Sequence, residues 1–395
     1  MKNIKNGTLN NIIYLGLVSF LNDLSSEMIM PILPIFAKSL GASGLIIGIM
    51  GGLRDSISTL LKILGGYFSD KFKKRKIFVV FGYLISSIFK LFLALSTSWK
   101  QVLTFASLER IGKGLRTAPR DAIISESLPK EKGKGFGIHR AMDTFGAILG
   151  SSLAFILFWH FDFSFNSIIF IASILAFFSL IPLYFVKERK KTFQREISLK
   201  IGLKSLPRSL KFFIFVSSIF SLANFSYMFF VLKAQENLSG KFSQGLPILF
   251  YVFFNIFYAV FAIPFGKLSD KVGRKKVILL GYFLFSLTCI GFACFNSLIA
   301  LGFLFALYGT VYALVDGNQR AFVSDLSSDE FKATSLGTFH TITGLAKLPA
   351  GLIAGFLWEI NPNLTFIYGA TMSIFSVILF MTYMTKRIGK VKENW

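Results

Sequence analysis

Twelve mostly apolar stretches follow one another along the chain, at 9–36, 44–67, 77–97, 100–121, 136–159, 165–186, 211–235, 246–266, 277–295, 298–319, 333–358 and 364–385. About 20 such residues suffice to cross a bilayer as an α-helix. In lipid the backbone must satisfy its own hydrogen bonds, so runs of this kind become helices. A soluble fold could not cover them: 53% of the residues are hydrophobic, 48 are phenylalanine and only 16% are charged, against about 25% charged in an ordinary soluble domain. The expected fold class is an all-α integral membrane protein. Cys289 and Cys294 share one apolar run with no histidine or acid nearby; they read as packing residues, with no metal or disulfide role. Lys2 and Lys5 precede a run too long for a signal-peptide core, which reads as a retained first span.

The net charge of +23 would suggest nucleic acid in a soluble chain. Here the bases cluster between apolar runs, so topology explains them and no nucleic-acid partner is expected. The second loop reads "DKFKKRK", the central linker "KERKKTFQREISLKIGLKSLPRSLK", the eighth loop "DKVGRKK" and the C-terminus "KRIGKVK", whereas the alternate loops offer little beyond Lys38, Lys100 and Lys241. Positive loops stay cytoplasmic, so the reading is a multi-pass protein of the cytoplasmic (inner) membrane with both termini in the cytoplasm. Residues 187–210 form the only long charged linker. It could lie on the anionic inner leaflet as an amphipathic helix or act as a tether. It divides an N-terminal six-span bundle, 1–186, from a C-terminal one, 211–395.

The halves repeat each other. "GYFSDKFKKRK" starts at Gly66 and "GKLSDKVGRKK" at Gly266; the same offset pairs Arg120 with Arg320 and Gly137 with Gly337, and His139 nearly matches His340. Several matches in one register indicate an internal duplication.

Two six-span repeats, each with a Gly-x-x-x-Asp-Lys-rich loop after its second span, resemble the major facilitator superfamily over essentially the whole chain. The first copy has Lys73 where the family has glycine. By this resemblance Gly66, Asp70, Arg75, Asp121, Gly266, Asp270 and Arg274 form a conformational latch, with Arg75 or Lys74 pairing with Asp121. Alternatively, these residues only enforce topology. Gly66 and Gly266 would allow close helix approach or a tight turn. "RIGKG" (Arg110–Gly114) looks like the motif of proton-coupled members, and Gly137, Gly146 and Gly150 follow the spacing of the antiporter motif. Ser151, Ala154 and Phe155 depart from that motif, and such glycines can equally serve helix packing. The resemblance implies a proton-coupled drug or metabolite antiporter-like branch.

Ionisable groups within a membrane are costly and normally border a wet, protein-lined interior. Apart from Lys90, they avoid spans three, six, nine and twelve, which the resemblance makes the outer scaffold; spans one, four, seven and ten would line a cavity. Asp23 and Glu27 lie four apart on one helix face. Two carboxylates that close in low dielectric do not both ionise easily. They read either as a proton site or substrate-cation ligand, or as structural partners of Arg110 or another base. Arg54, Ser58 and Lys62 form a stripe, with Asp55 on the adjacent face, that could attract an anionic group, pair internally or gate the halves. Arg110 sits near the middle of span four. His139 and Asp143 could titrate together or form a surface-level pair, and His340 and Lys347 share one side of span eleven. Asp316, Asn318, Gln319 and Arg320 could simply cap the end of span ten.

No metalloprotease, nucleophile-elbow or P-loop motif is present, so an enzyme is not expected, nor a cofactor. The favoured function is secondary transport of a small molecule by alternating access of two bundles, as proton-coupled export by a monomer in the lipid bilayer. The alternatives are a proton symporter importing a polar metabolite or metal chelate, and a non-transporting membrane sensor.

Overall fold

Each apolar run becomes one helix or a broken pair in the computed structural model, which describes residues 2–128, 132–188, 206–236, 238–327 and 332–392. The helices are α1 (Lys2–Ile29), α2 (Leu33–Ser39), α3 (Gly44–Phe72), α4 (Arg75–Ala94), α5 (Trp99–Ser127), α6 (Lys132–Trp159), α7 (Phe165–Phe178) and α8 (Leu180–Phe185) in the first half. The second half holds α9 (Arg208–Ala223), α10 (Met228–Gln235), α11 (Gly240–Val272), α12 (Arg274–Cys294), α13 (Leu298–Asp325), α14 (Lys332–Leu345), α15 (Lys347–Ile360) and α16 (Pro362–Lys392). Four pairs, α1–α2, α7–α8, α9–α10 and α14–α15, are single spans with a break, giving twelve spans in two bundles of six. The break after α1 falls at Pro31, with Pro34 at the start of α2, where a missing N–H is tolerated. The inner-leaflet helix considered for the linker falls on residues 189–205, outside the described residues.

Among the described residues, eleven spans are long and apolar enough to cross a membrane; α5 is not one of them. It carries Glu109, Arg110, Lys113, Arg116, Arg120 and Asp121. At roughly 2.5–3.5 kcal/mol each on an insertion scale, six such groups facing lipid would cost on the order of 15 kcal/mol or more. The fold avoids that cost by wedging α5 between α3 and α4. Gly112 makes the wedge possible: a Cβ there would stand 2.2 Å from the Gly82 carbonyl oxygen of α4. Arg116 stacks on the Tyr83 ring at 4.2 Å and donates to Ser86 Oγ at 2.6 Å. Lys90, the exception on the scaffold spans, also points inward. Its ammonium donates to Ser25 Oγ (3.0 Å) and Ser26 Oγ (2.8 Å) of α1.

In α6, Gly146 and Gly150 press against the backbone of α1 at Phe20 and Leu24, whereas Gly137 has no neighbour within 4 Å of a Cβ position. The packing reading of this glycine series thus holds at two of its three positions.

The duplicated loops do not form as expected. Gly66 and Gly266 lie inside α3 and α11; a Cβ on Gly66 would stand 3.2 Å from the Ala118 Cβ of α5, the close approach expected, whereas one on Gly266 would meet nothing within 4 Å, so neither a turn nor a close approach explains Gly266. The turns fall at Lys73 (φ 55°, ψ 33°) and Gly273 (φ 97°, ψ 133°). Lys73 takes the left-handed conformation a side chain can still reach, while Gly273 takes one that favours glycine. Arg75 pairs with Asp70 (2.7 Å) and Glu126 (2.6 Å), not with Asp121, which instead meets Arg120 at 3.0 Å. The reason is reach: Glu126 ends α5 beside the start of α4, whereas Asp121 lies more than a turn deeper. In the second half Arg274 likewise pairs with Asp270 (3.2 Å) and Asp325. Each of these pairs joins spans of one bundle rather than the two halves. Arg75→Ala is expected to lower the unfolding midpoint of detergent-solubilised protein by a few degrees, because it leaves the mostly buried Glu126 without this partner; a thermal unfolding scan checks it.

The bundles meet face to face in the half of the molecule farther from the termini. Gly48 of α3 crosses Gly351 of α15 so closely that a Cβ on Gly48 would stand 2.1 Å from the Gly351 carbonyl oxygen. The Leu45 N–H donates to Glu359 Oε1 (3.1 Å), Trp159 meets Phe242 edge-on, and Lys241 pairs with Asp162. This seal closes one face, and the space between the bundles opens on the terminal face.

Candidate functional site

Between the bundles lies a cavity of about 520 Å³, within the range of small-molecule sites. Its lining comes from α1, α3, α5 and α6 of the first bundle and from the spans α9–α10, α11, α13 and α14–α15 of the second. Spans three, six, nine and twelve contribute none of it, as the resemblance implied.

The two walls differ in chemistry. The first bundle supplies most of the charge: Asp23, Glu27, Arg54, Asp55, Arg110, Lys113, Arg140 and Asp143. The second supplies Tyr227, Tyr251, Tyr258 and Tyr312, the amides of Asn224, Asn255 and Gln319, and Asp316, Arg320, His340 and Lys347.

On the charged wall, Asp23 of α1 and Asp143 of α6 lie side by side, close enough for their carboxyl groups to interact. Two ionised carboxylates that close repel each other, and a proton shared between them removes the repulsion. The close packing of Gly146 and Gly150 on α1 sets the distance. Asp143 also accepts from Arg140 (3.0 Å), and Asn22 donates weakly to Asp23 (3.4 Å). Glu27, one turn along, does something else: it accepts from Tyr251 (3.1 Å) and Asn255 (3.2 Å) of α11, bridging the bundles.

At the closed end, Arg54 and Arg110 share one carboxylate, Glu109, at 3.9 and 3.1 Å. All three are buried. The expected alternative, Arg110 pairing with Asp23 or Glu27, is not what forms; the adjacent Glu109 takes that place. Lys113 lines the cavity, and its ammonium makes no hydrogen bond or ion pair among the described residues. Lys347 donates to the Asn224 carbonyl, which the break between α9 and α10 frees. Broken spans supplying backbone groups to a central site recur in transporters. Toward the mouth, Tyr258 accepts from Arg140 (2.7 Å) and donates to Asp316 (3.0 Å), which also pairs with Arg320.

Of the residues singled out from sequence, Asp23, Glu27, Arg54, Asp55, Arg110, Asp143, His340 and Lys347 all line this one cavity. His139 does not: it is buried off the cavity, makes no hydrogen bond to Asp143, and its Nε2 has no partner among the described residues. Next to Arg140 in the chain and so about 100° round α6 from it, it is turned away from the cavity and buried. Asp316, Gln319 and Arg320 are cavity groups rather than a helix cap, whereas Asn318 is buried on the Leu314 carbonyl. Tyr251, Tyr258, Tyr312 and Asn255 were not anticipated, because aromatic residues saturate this sequence; of the span-seven aromatics that could hold an apolar group, Phe225 and Tyr227 line the cavity and Phe229 does not. Glu109 could have been found as the acid beside Arg110.

Comparison with known proteins agrees with this architecture. The sequence model of the Major Facilitator Superfamily matches residues 15–254 and 213–394. An uncharacterised MFS-type transporter of Methanocaldococcus jannaschii is 56% identical over 374 residues, covering 94% of each chain. Multidrug resistance protein 2 of Bacillus subtilis is 22% identical over 400 residues, covering 93% of this chain and 94% of that one. A mutant of the nucleoside transporter NupG superimposes with a TM-score of 0.80 at 16% identity, over 94% of this chain and 99% of that one, which shows the fold alone. The chain belongs to the Major Facilitator Superfamily, as one of its membrane transporters of small solutes.

Proposed function

We propose that the chain couples proton movement to export of a small organic compound. The observation that carries this reading is the Asp23–Asp143 carboxyl pair in the cavity wall. It binds one proton in the state open to the terminal face, and it spans α1 and α6, so rocking of the bundles can change its exposure. A proton shifts the equilibrium of states only if its affinity differs between them; a pair whose hydration alternates supplies that difference. Glu27, already held by two neutral donors, bridges the bundles instead of carrying the proton. By the positive-loop argument the terminal face is cytoplasmic, and residues 187–210 join a bundle of 1–186 to one of 211–395. Export is favoured over import by the similarity to the multidrug resistance protein of Bacillus subtilis.

Inside-out vesicles with an acidified lumen are expected to accumulate a transported solute and lose their pH gradient as they do so. Accumulation only in right-side-out vesicles under an inward proton gradient would reverse the direction, and accumulation indifferent to the gradient would remove the coupling.

A further inference from the structure

We propose that the closed end of the cavity is an anion site, and that the solute is an organic anion with a flat aromatic ring. This deepens the transport reading above and rests on it. The argument starts from two buried guanidinium groups that lack adequate acceptors. Arg54 and Arg110 are 5% and 6% exposed. They share the single carboxylate of Glu109 as their ion-pair partner, while Asp55 and Glu27 act on Arg110 only from farther away. The Arg54 Nε, buried in the wall, has no hydrogen-bond partner among the described residues. Both groups aim Nη2 at the same atom, the Met30 sulfur, at 3.5 and 3.2 Å.

A thioether is a weak acceptor. Two guanidinium groups converging on one mark a place where an oxyanion would bind far better, since charge-assisted bonds to arginine are about twice as strong as neutral ones and can be bidentate. Arginine is suited to this because it stays charged when buried and is weakly hydrated. The Tyr227 hydroxyl joins the same cluster, lying 3.4 Å from Arg54 Nη1 and donating to the Met30 carbonyl at 2.9 Å. Unpaired Lys113 adds a further positive charge on the same wall.

The ring half of the proposal comes from the opposite wall. Tyr227 and Tyr251 lie 5.4 Å apart, Tyr251 and Phe254 5.4 Å, and Phe254 and Tyr312 5.3 Å. They form an aromatic surface of rings tilted or edge-on to one another, which starts at Tyr227 beside Arg54 and continues along the cavity. A flat ring stacks on such a surface while its carboxylate or phosphate reaches the arginines.

The test is equilibrium binding to the full-length protein in detergent, by calorimetry at fixed ionic strength. The probes are 3-phenylpropionate, 3-phenylpropanol, 3-phenylpropylamine and hexanoate. The phenyl carboxylate is expected to bind at least about tenfold more tightly than the alcohol or the amine, the worth of one charged contact, and several-fold more tightly than hexanoate, which keeps the charge and lacks the ring. Arg54→Gln and Arg110→Gln should each weaken it by a similar factor, and Met30→Leu should leave it unchanged or tighter. If a glutamine variant is not recovered monodisperse, Arg54→Lys keeps the charge without the planar fork and should weaken binding several-fold. Equal or tighter binding of the alcohol or amine, no binding of the carboxylate, or indifference to both arginines overturns the anion site; hexanoate matching 3-phenylpropionate overturns the ring. Binding is read without a proton gradient, so loss of anion selectivity leaves proton coupling standing, and absence of proton movement leaves the anion site standing.

Discussion

Asp23→Asn is expected to reduce solute-dependent proton movement in proteoliposomes to the level of protein-free vesicles, while solute exchange between equal concentrations on both sides continues. Asp143→Asn should do the same. The asymmetry between the two readouts follows from the chemistry of the pair. An asparagine amide can donate to the remaining carboxylate in place of the shared proton, so the contact between α1 and α6 survives and with it the packing of Gly146 and Gly150 against Phe20 and Leu24. What disappears is titration: the amide neither takes nor releases a proton. Exchange needs only the rocking of the loaded carrier, which the substitution spares. Glu27→Gln provides the contrast. Its partners Tyr251 and Asn255 can still bond a glutamine, so proton movement should persist, with exchange slowed at most. A pH-sensitive dye trapped in the vesicles reads the first quantity and a labelled solute the second. Proton movement unchanged in Asp23→Asn would reject the pair as the coupling site; loss of exchange together with proton movement would show a structural role.

Much of this arrangement could be read from the residues alone, and the limits have a physical origin. Length and apolarity place the spans, because a bilayer imposes both on any helix that crosses it. The exception is α5: 100–121 reads as one of the twelve runs, yet its charges leave it short of the apolarity a crossing helix needs. Charge in a membrane segment also announces itself, since lipid would not accept it: Asp23, Glu27, Arg54, Arg110 and Lys347 converge on one cavity although up to 324 positions separate them in sequence. Which charges meet was less readable. The proximity of Asp143 to Asp23 depends on how α6 turns against α1, set by glycines whose partners are backbone atoms. Arg75 reached Glu126 rather than Asp121 for the same reason: a helix rotation and a rise of a few residues decide it. His139 shows the cost of arguing from i, i+4 spacing alone, because sharing a side with Asp143 did not bring the two into contact. Beyond Tyr227, the tyrosine wall carried no signal in a chain with 12 tyrosines and 48 phenylalanines.

Gly48→Val is expected to hold the protein open on the far face and to abolish transport. In this structure Gly48 and Gly351 cross backbone to backbone, with the Cβ positions 2.1 and 2.2 Å from the opposing carbonyl oxygens. Gly52 is almost as tight, at 2.8 Å from the Lys347 carbonyl oxygen. No rotamer change relieves such a clash, since the obstacle is main chain on a packed helix. Small residues permit this kind of approach between membrane helices, and overpacking a tight contact typically costs about 1–3 kcal/mol. Only the state sealed on the far face bears that cost; once the bundles rock apart there, the valine meets no carbonyl. A penalty of about 3 kcal/mol on one of two states moves their ratio by roughly a hundredfold, enough to empty the sealed state if the two are otherwise near balance. The stability of each bundle should be nearly untouched, because the contact is between bundles. Spin labels in a cysteine-free background check the direction: labels at Thr97 and Asn296 on the far face should move apart, and labels at Lys71 and Lys271 on the terminal face should come together. Unchanged distances with transport lost would mean that the Gly48–Gly351 crossing is not the hinge of closure, and unchanged transport would mean that the seal can form without it.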